Sequence, residues 1–325
     1  MPHAFVTGAT GFLGTNLVEQ LCQQGWNTTA LHRAQSNVQA LHKFGVTGVV
    51  GDLTDGDSVL RAMPENVDAV FHVAANTSTW QPHHAQQTRE NVIGTRHVCA
   101  AALARNAKRL VHISSIAAYG LRDDVITEES AQLGGQAPIN YYRTKAAAEQ
   151  EVRLAVARGL HAVIVNPSHI VGPHDRHNWA RIFRLIKAGK LPGIPPGQGS
   201  FCYAPEVAKT LIAAAEKGRV GANYLLGGTE ASFLEVVQFV GKKLNKKVPN
   251  KTVPAWTLRT LGRFNDLMSR VTGKEPDITF ESALIVCSHA SIASTRARDE
   301  LGFCSPPLEQ MLTLSLALLQ EENLL

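Results

Sequence analysis

The run "HAFVTGATGFLG" near the start of the chain constrains its fold more than any other stretch. An apolar segment leads into glycines at 8, 11 and 14. The residues after it place Leu13, Leu17, Val18 and Leu21 on one helical face, and Gly25 ends the pattern. This reads as strand, tight loop and helix. Gly8 permits the turn, Gly11 lets the backbone approach a pyrophosphate, and Gly14 lets the helix pack against the strand. A helix N-terminus presents free N–H groups and a partial positive charge. The loop carrying Thr7, Gly8, Thr10, Gly11, Phe12, Leu13 and Gly14 is therefore suited to a dinucleotide.

The pattern continues in the same sense. "TTALH", "VTGVVGDL", "DAVFHVAA", "RLVHISS" and "HAVIVNPS" read as strands. They alternate with helical stretches at "SNVQALHKFG", "DGDSVLRAM", "NVIGTRHVCAAALARN" and "INYYRTKAAAEQ". Strands that are nearly all apolar and separated by helices predict a parallel sheet covered on both faces, joined by right-handed crossovers. The fold class is α/β: a Rossmann-type doubly wound sheet with a smaller, mostly helical C-terminal lobe. After Pro167 the pattern loosens. "AGKLPGIPPGQGSF" reads as loop, "PEVAKTLIAAAEKG" as a helix with Pro205 in its first turn, and "NYLLGG" as a return to the sheet. The expected division is 1–166 plus about 205–228 for the nucleotide-binding domain, and about 167–204 plus 229–325 for the substrate lobe.

Composition sets further limits. With 325 residues, 44% of them hydrophobic, the chain suits one large unit with an appended lobe. The net charge of +5 is small and scattered, which argues against nucleic acid as a partner and leaves a small anionic molecule. Five cysteines without a C-x-x-C pair point to free thiols in a reducing compartment. No secretory leader is visible, and "MLTLSLALL" is too short to cross a bilayer. The expectation is a soluble cytoplasmic protein without stable membrane insertion.

Cofactor type is read at the end of the second strand. "LHRAQSN" offers no carboxylate for a ribose diol. Arg33 stands where its planar guanidinium can pair with a 2′-phosphate, with His32 and Ser36 beside it. The reading is NADP, with NAD as the alternative. Asp52 and Leu53 are placed to meet the adenine, and Ala74 and Ala75 leave room for the cofactor backbone. In "YYRTK", residues four apart share a helix face, which prefers Tyr141 with Lys145 and does not exclude Tyr142.

Taken together, "TGATGFLG", "NVIG" at 91–94, "HISSIAAYG", "YYRTK", "NPSHIVGP" and "RARDELGF" resemble the extended short-chain dehydrogenase/reductase family over nearly the whole chain. The resemblance implies Tyr141 as proton donor and Lys145 as its charged neighbour and ribose holder. It also implies Ser115, rather than Ser114, as the hydroxyl on the substrate oxygen. Asn91, Pro167 and Ser168 join the cofactor set on the same grounds. "VNPSHIVGP" resembles the dihydroflavonol 4-reductase-like and 3β-hydroxysteroid dehydrogenase-like branch. Nucleotide-sugar dehydratases carry an Asp-Glu pair where this chain has Ile116 and Ala117, so dehydration is not expected. One departure is Ala204, where the family usually places an aspartate ahead of the helix.

The implied activity is NADP-dependent interconversion of a carbonyl and a secondary alcohol on a fairly apolar small molecule. Two other readings are an NAD-dependent nucleotide-sugar epimerase and a non-catalytic dinucleotide sensor or assembly factor. The latter often loses the Tyr or Lys that is kept here. A homodimer is allowed and not required. His174, Asp175 and His177 form too small a ligand set for a metal, and a substrate or solvent role is expected of them. In "WTLRTLGRFNDLMSRV", Leu258, Leu261, Phe264 and Met268 share one face. This reads as a packed lobe helix rather than one that touches a membrane.

Overall fold

The computed structural model describes residues 1–322 and 324–325. Its elements in chain order begin with β1 (His3–Thr7), α1 (Phe12–Gln23), β2 (Asn27–His32), α2 (Gln39–Lys43), β3 (Thr47–Val50), α3 (Gly56–Ala62) and β4 (Ala69–His72). Next come α4 (His84–Thr88), α5 (Gly94–Ala104), β5 (Leu110–Ile113), β6 (Val125–Ile126), α6 (Asn140–Ala157) and β7 (Ala162–Pro167). Then follow β8 (His169–Val171), α7 (Trp179–Lys187), β9 (Gln198–Tyr203), α8 (Ala204–Lys217), β10 (Asn223–Leu226) and β11 (Thr229–Ser232). The chain closes with α9 (Phe233–Lys243), α10 (Ala255–Thr272), α11 (Phe280–Val286), β12 (Ser291–Ile292), α12 (Thr295–Leu301) and α13 (Leu308–Glu321).

Seven strands form one sheet in the order β3-β2-β1-β4-β5-β7-β10, and every neighbouring pair is parallel. The order reverses between β1 and β4, which opens a crevice at the carboxyl ends of the strands. Strand β7 is buried at all six positions, as a central strand between two helical layers must be. Leu17, Leu21, Val207 and Leu211 of α1 and α8 cover one face. Val59, Val98 and Val152 of α3, α5 and α6 cover the other. A second core joins Phe183, Val236 and Leu312 around the small β8-β9-β11 sheet. We propose the two-lobe division with one adjustment: Ala297, Leu301 and Phe303 pack with α1 and α8, so α12 belongs with the nucleotide-binding side.

Three stretches differ from the sequence reading. "SNVQALHKFG" contributes only the short helix α2, because the Asn37 side chain accepts from Gln39 N–H and holds the preceding residues in a turn. The end of "AGKLPGIPPGQGSF" is a strand rather than loop, since β9 pairs with both β8 and β11. The helix expected from Asn91 starts earlier, at His84, and runs through a π turn at Arg89–Ile93.

The sheet centre holds two histidines. His72 Nδ1 lies 2.7 Å from Thr7 Oγ1 and its Nε2 lies 2.9 Å from Thr95 Oγ1. The His112 ring stands 5.3 Å away, and neither of its nitrogens has a partner among the described residues. Burial first, and the Lys145 charge next, lower the His72 pKa to about 3. Burial, then His72 and Lys145, hold His112 well below its ordinary range. Both are neutral in the fold, whereas the unfolded chain takes up protons near pH 6.5. Stability is therefore present above about pH 6.5 and is lost as pH falls below it, by about 1.4 kcal/mol per unit for each group. Between pH 7 and pH 5 the expected loss is roughly 4 kcal/mol for the pair. His112→Leu should roughly halve it. Urea midpoints at the two pH values check this, and an unchanged drop in the variant rejects it.

Candidate active site

The glycine loop fits close against its surroundings. Gly8 has φ +76°, and a Cβ there would lie 2.6 Å from Ala74 N. A Cβ on Gly14 would lie 2.0 Å from the Gly8 carbonyl oxygen, so only glycine lets α1 begin this near the loop. Gly11 caps α1 and no side chain satisfies the first-turn N–H groups, which leaves them for an anion. This cradle fits a pyrophosphate. It opens into a cleft of about 710 Å³ running across the carboxyl ends of the strands.

Thr7, Gly8, Thr10, Gly11, Phe12, Leu13 and Gly14 line one end of the cleft, followed by His32, Arg33, Asp52, Leu53, Ala74 and Ala75. Hydrogen bonds from Thr54, backbone first, hold the Asp52 carboxyl below its ordinary range and keep it ionised. Arg33 does not stand alone. Its guanidinium lies 3.9 Å from Glu90, which is itself held by Asn76 Nδ2 at 2.9 Å and Gln86 Nε2 at 2.8 Å. Glu90 lines the cleft and was not found from sequence, because its distance from Arg33 along the chain hides the pairing.

At the other end, the Lys145 ammonium donates to the Ile113 carbonyl at 2.8 Å. Burial lowers its pKa to about 8, against the Glu149 carboxylate, which raises it. Tyr141 lies one helical turn before Lys145 on α6 and borders the cleft beside Ser115. Burial raises the Tyr141 pKa while the Ser115 hydroxyl lowers it. Tyr142 also borders the cleft, its ring 6.3 Å from that of Tyr141, and burial raises its pKa too. The two serines part company here. Ser114 donates to Glu149 at 2.5 Å and is buried, whereas the Ser115 hydroxyl stays at the cleft, accepting from Ala117 N–H at 3.2 Å.

Asn91 and Ser168, both expected at the cofactor, make structural bonds of their own. Asn91 is buried behind the cleft wall. It holds Asn76 N–H at 2.7 Å and donates to Asn76 O and Thr144 Oγ1, so it ties the segment after β4 to the Tyr-Lys helix. Pro167 and Ser168 line the cleft, but the Ser168 hydroxyl lies 2.7 Å from Ser200 O and 3.0 Å from Gly227 O, fastening the lobe. Asp175 caps α7, accepting from His177, Asn178 and Ala180 N–H, while His174 pairs with Glu19 at 3.1 Å. These bonds fix the loop ahead of α7, and no metal-holding cluster occurs among the described residues. Ala204 is fully buried without a side-chain cap ahead of it, and Pro205 in the first turn removes one N–H that a cap would serve. Trp179, His169, Ile170, Ile116 and Ile285 give the substrate end an apolar wall.

This arrangement defines a dinucleotide-dependent enzyme, and comparison with known proteins agrees. The model of the NAD dependent epimerase/dehydratase family matches residues 4–227. A Synechocystis sp. protein carrying the provisional name dihydroflavonol 4-reductase is 31% identical, covering 95% of this chain and 92% of its own. Sterol demethylase protein B of Methylococcus capsulatus is 32% identical over 91% and 92%. The crystal structure of gox2253 superposes with a TM-score of 0.85 at 29% identity, covering 99% of both chains. The chain belongs to the NAD dependent epimerase/dehydratase family, within the extended short-chain dehydrogenase/reductases. It is an NAD(P)-dependent enzyme acting on CH–OH and C=O groups. Among the described residues no helix is long and apolar enough to cross a membrane.

Proposed function

We propose an NADP-preferring reductase that interconverts a ketone and a secondary alcohol on an apolar small molecule. The observation that carries it is the placing of Tyr141 and Lys145 on one face of α6, next to Ser115, where the cleft meets its apolar wall. The glycine loop, Asp52, Ala74, Ala75 and Lys145 would hold the dinucleotide, which supplies the hydride. Ser115 donates to the substrate oxygen and Tyr141 gives that oxygen its proton. Lys145 keeps a positive charge near the phenol. The names of the similar proteins, a dihydroflavonol reductase and a sterol demethylase component, support an apolar ring system as substrate. A panel of such ketones, followed through nicotinamide absorbance, tests this. Inactivity on all of them, with NAD retained through purification, favours the epimerase reading.

The NADP preference rests on Arg33. Its pair with Glu90 is long at 3.9 Å, with the Arg33 side chain more than half exposed, a kind worth about 0–1 kcal/mol. A charge-assisted contact to a phosphate is worth roughly 1.5–3 kcal/mol, so the phosphate wins. The expected preference for NADP over NAD is about ten- to hundred-fold. Arg33→Ala should remove it and leave NAD binding almost unchanged. Glu90→Gln should strengthen NADP binding a few-fold, by roughly the worth of the lost pair. Calorimetric titrations with both cofactors check this; equal wild-type affinities reject it.

A further inference from the structure

Helix α10 was expected to be packed, and most of its apolar surface is not. Leu258, Gly262 and Ser269 form its buried face. A Cβ on Gly262 would meet the Thr279 carbonyl at 2.7 Å, so the helix lies close against the start of α11. On the other side Trp256, Leu261, Phe264, Leu267, Met268 and Val271 are exposed, Trp256 at 70% and Val271 at 83%. At about 100° per residue these six fall in one sector of about 140°, away from the buried face. Arg259, Arg263 and Arg270 run along one edge of that sector, with exposed Lys251 and Lys274 beyond its two ends. Asp277 is paired with Arg181, while Asp266 accepts from Phe280 N–H at 2.9 Å and Glu275 from Ser78, so both keep their charge and the five cations outnumber them.

We propose that this face docks the protein reversibly on an anionic phospholipid surface. An apolar stripe edged by arginines, on a helix unable to span, is the arrangement that lies in the plane of a headgroup layer. The charge selects the occupant. A lipid surface of negative sign complements the net basic edge, whereas a second copy of the chain brings the same excess of positive charge to the contact. The position also fits. Leu258 packs with Ala283 and Cys287 beside α11, and Ile285 of α11 lines the apolar end of the cleft. The Trp80 indole further ties α10 to the segment after β4, donating to Ser269 Oγ at 3.0 Å. The docked face is thus one helix layer from the substrate site. The docking claim stands on these contacts and does not rest on the reductase reading.

The test is flotation of the full chain with phosphatidylcholine vesicles and with vesicles in which a third of the lipid is phosphatidylglycerol. The expected result is capture by the anionic vesicles at least about tenfold stronger than by the neutral ones, weakening as salt is raised. The Arg259→Gln, Arg270→Gln double variant should lose roughly fivefold for each charge removed. Leu267→Glu with Val271→Glu should abolish capture. Melting temperature and turnover on a water-soluble ketone should stay at wild-type values in that variant, because both side chains face solvent. Wild-type protein that ignores anionic vesicles overturns the proposal. So does a wild-type dimer that the Leu267→Glu, Val271→Glu variant splits without any vesicle capture, since the stripe is then a self-association contact.

Discussion

Tyr141→Phe should lower turnover by about 10²–10⁴-fold, the usual weight of a general acid, while cofactor affinity stays within a few-fold of wild type. The hydroxyl removed is the one beside Ser115, one helical turn from the buried Lys145 ammonium. Tyr142→Phe should cost far less, because its hydroxyl belongs to the neighbouring helix position and Ser115 does not act on it. Burial favours the protonated phenol at Tyr141, which suits it to donate a proton in reduction at neutral pH. Lys145 adds a pH limit. Its pKa of about 8 means the ammonium is present below that value and lost as pH rises through it. The kcat/KM for cofactor, which reports the free enzyme, should therefore hold at neutral pH and decline above about pH 8. Steady-state rates and cofactor titrations of the two phenylalanine variants check the assignment. A dead Tyr142→Phe beside an active Tyr141→Phe would place the proton donor one residue later.

Local pattern carried the central sheet, and long-range pairing hid the rest. Strands such as Ala162–Pro167 are continuous apolar runs because helices cover both faces, so they are legible without knowing their neighbours. The glycines at 8 and 14 were legible because only a residue without a side chain allows such close approach. Strand β9 was missed because its hydrogen-bonding partners, His169–Val171 and Thr229–Ser232, lie on either side of a Gly/Pro-rich stretch. The π turn at Asn91 leaves no period to read, and it buries a side chain that resemblance had assigned to the cofactor. Asp175, expected to meet substrate or solvent, caps α7, and an Asx hydrogen bond to the next turn has the same sequence signature as an exposed functional carboxylate. On α10 the spacing grouped Leu258 with Leu261, Phe264 and Met268, but Leu258 lies on the buried face and the other three are exposed, and spacing cannot say whether a face has a partner.

Glu149 shows the same limit most sharply, and it carries the largest stability effect expected. It stands four residues after Lys145 and is fully buried. Its Oε1 accepts from Ser114 Oγ at 2.5 Å and Asn166 Nδ2 at 2.6 Å. Its Oε2 accepts from Gln132 at 2.6 Å, Asn223 at 2.9 Å and Arg153 at 3.1 Å. The donors come from β7, β10 and α6, with Ser114 from just after β5 and Gln132 from the segment before α6, so one carboxylate closes the polar seam behind the catalytic residues. Asn166 also donates to the Ser115 carbonyl at 3.0 Å, which passes the constraint to the cleft. Glu149→Gln keeps the shape but turns one acceptor into a donor facing other donors. It also removes the charge facing Arg153, which is partly exposed and keeps Asn223 Oδ1 at 2.8 Å. Losing at least two hydrogen bonds to a buried charged acceptor, each worth about 1.5–3 kcal/mol, costs on the order of 3–6 kcal/mol. At about 2.1 cal/mol/K of unfolding entropy per residue, that is a fall in Tm on the order of 4–9 °C. The catalytic readout has a definite sign. The Glu149 charge raises the Lys145 pKa, so its removal lets that pKa fall further below 8. The alkaline limb of the kcat/KM profile should then move to lower pH. A variant with lowered Tm and an unmoved limb would confine Glu149 to stability and remove it from the control of Lys145.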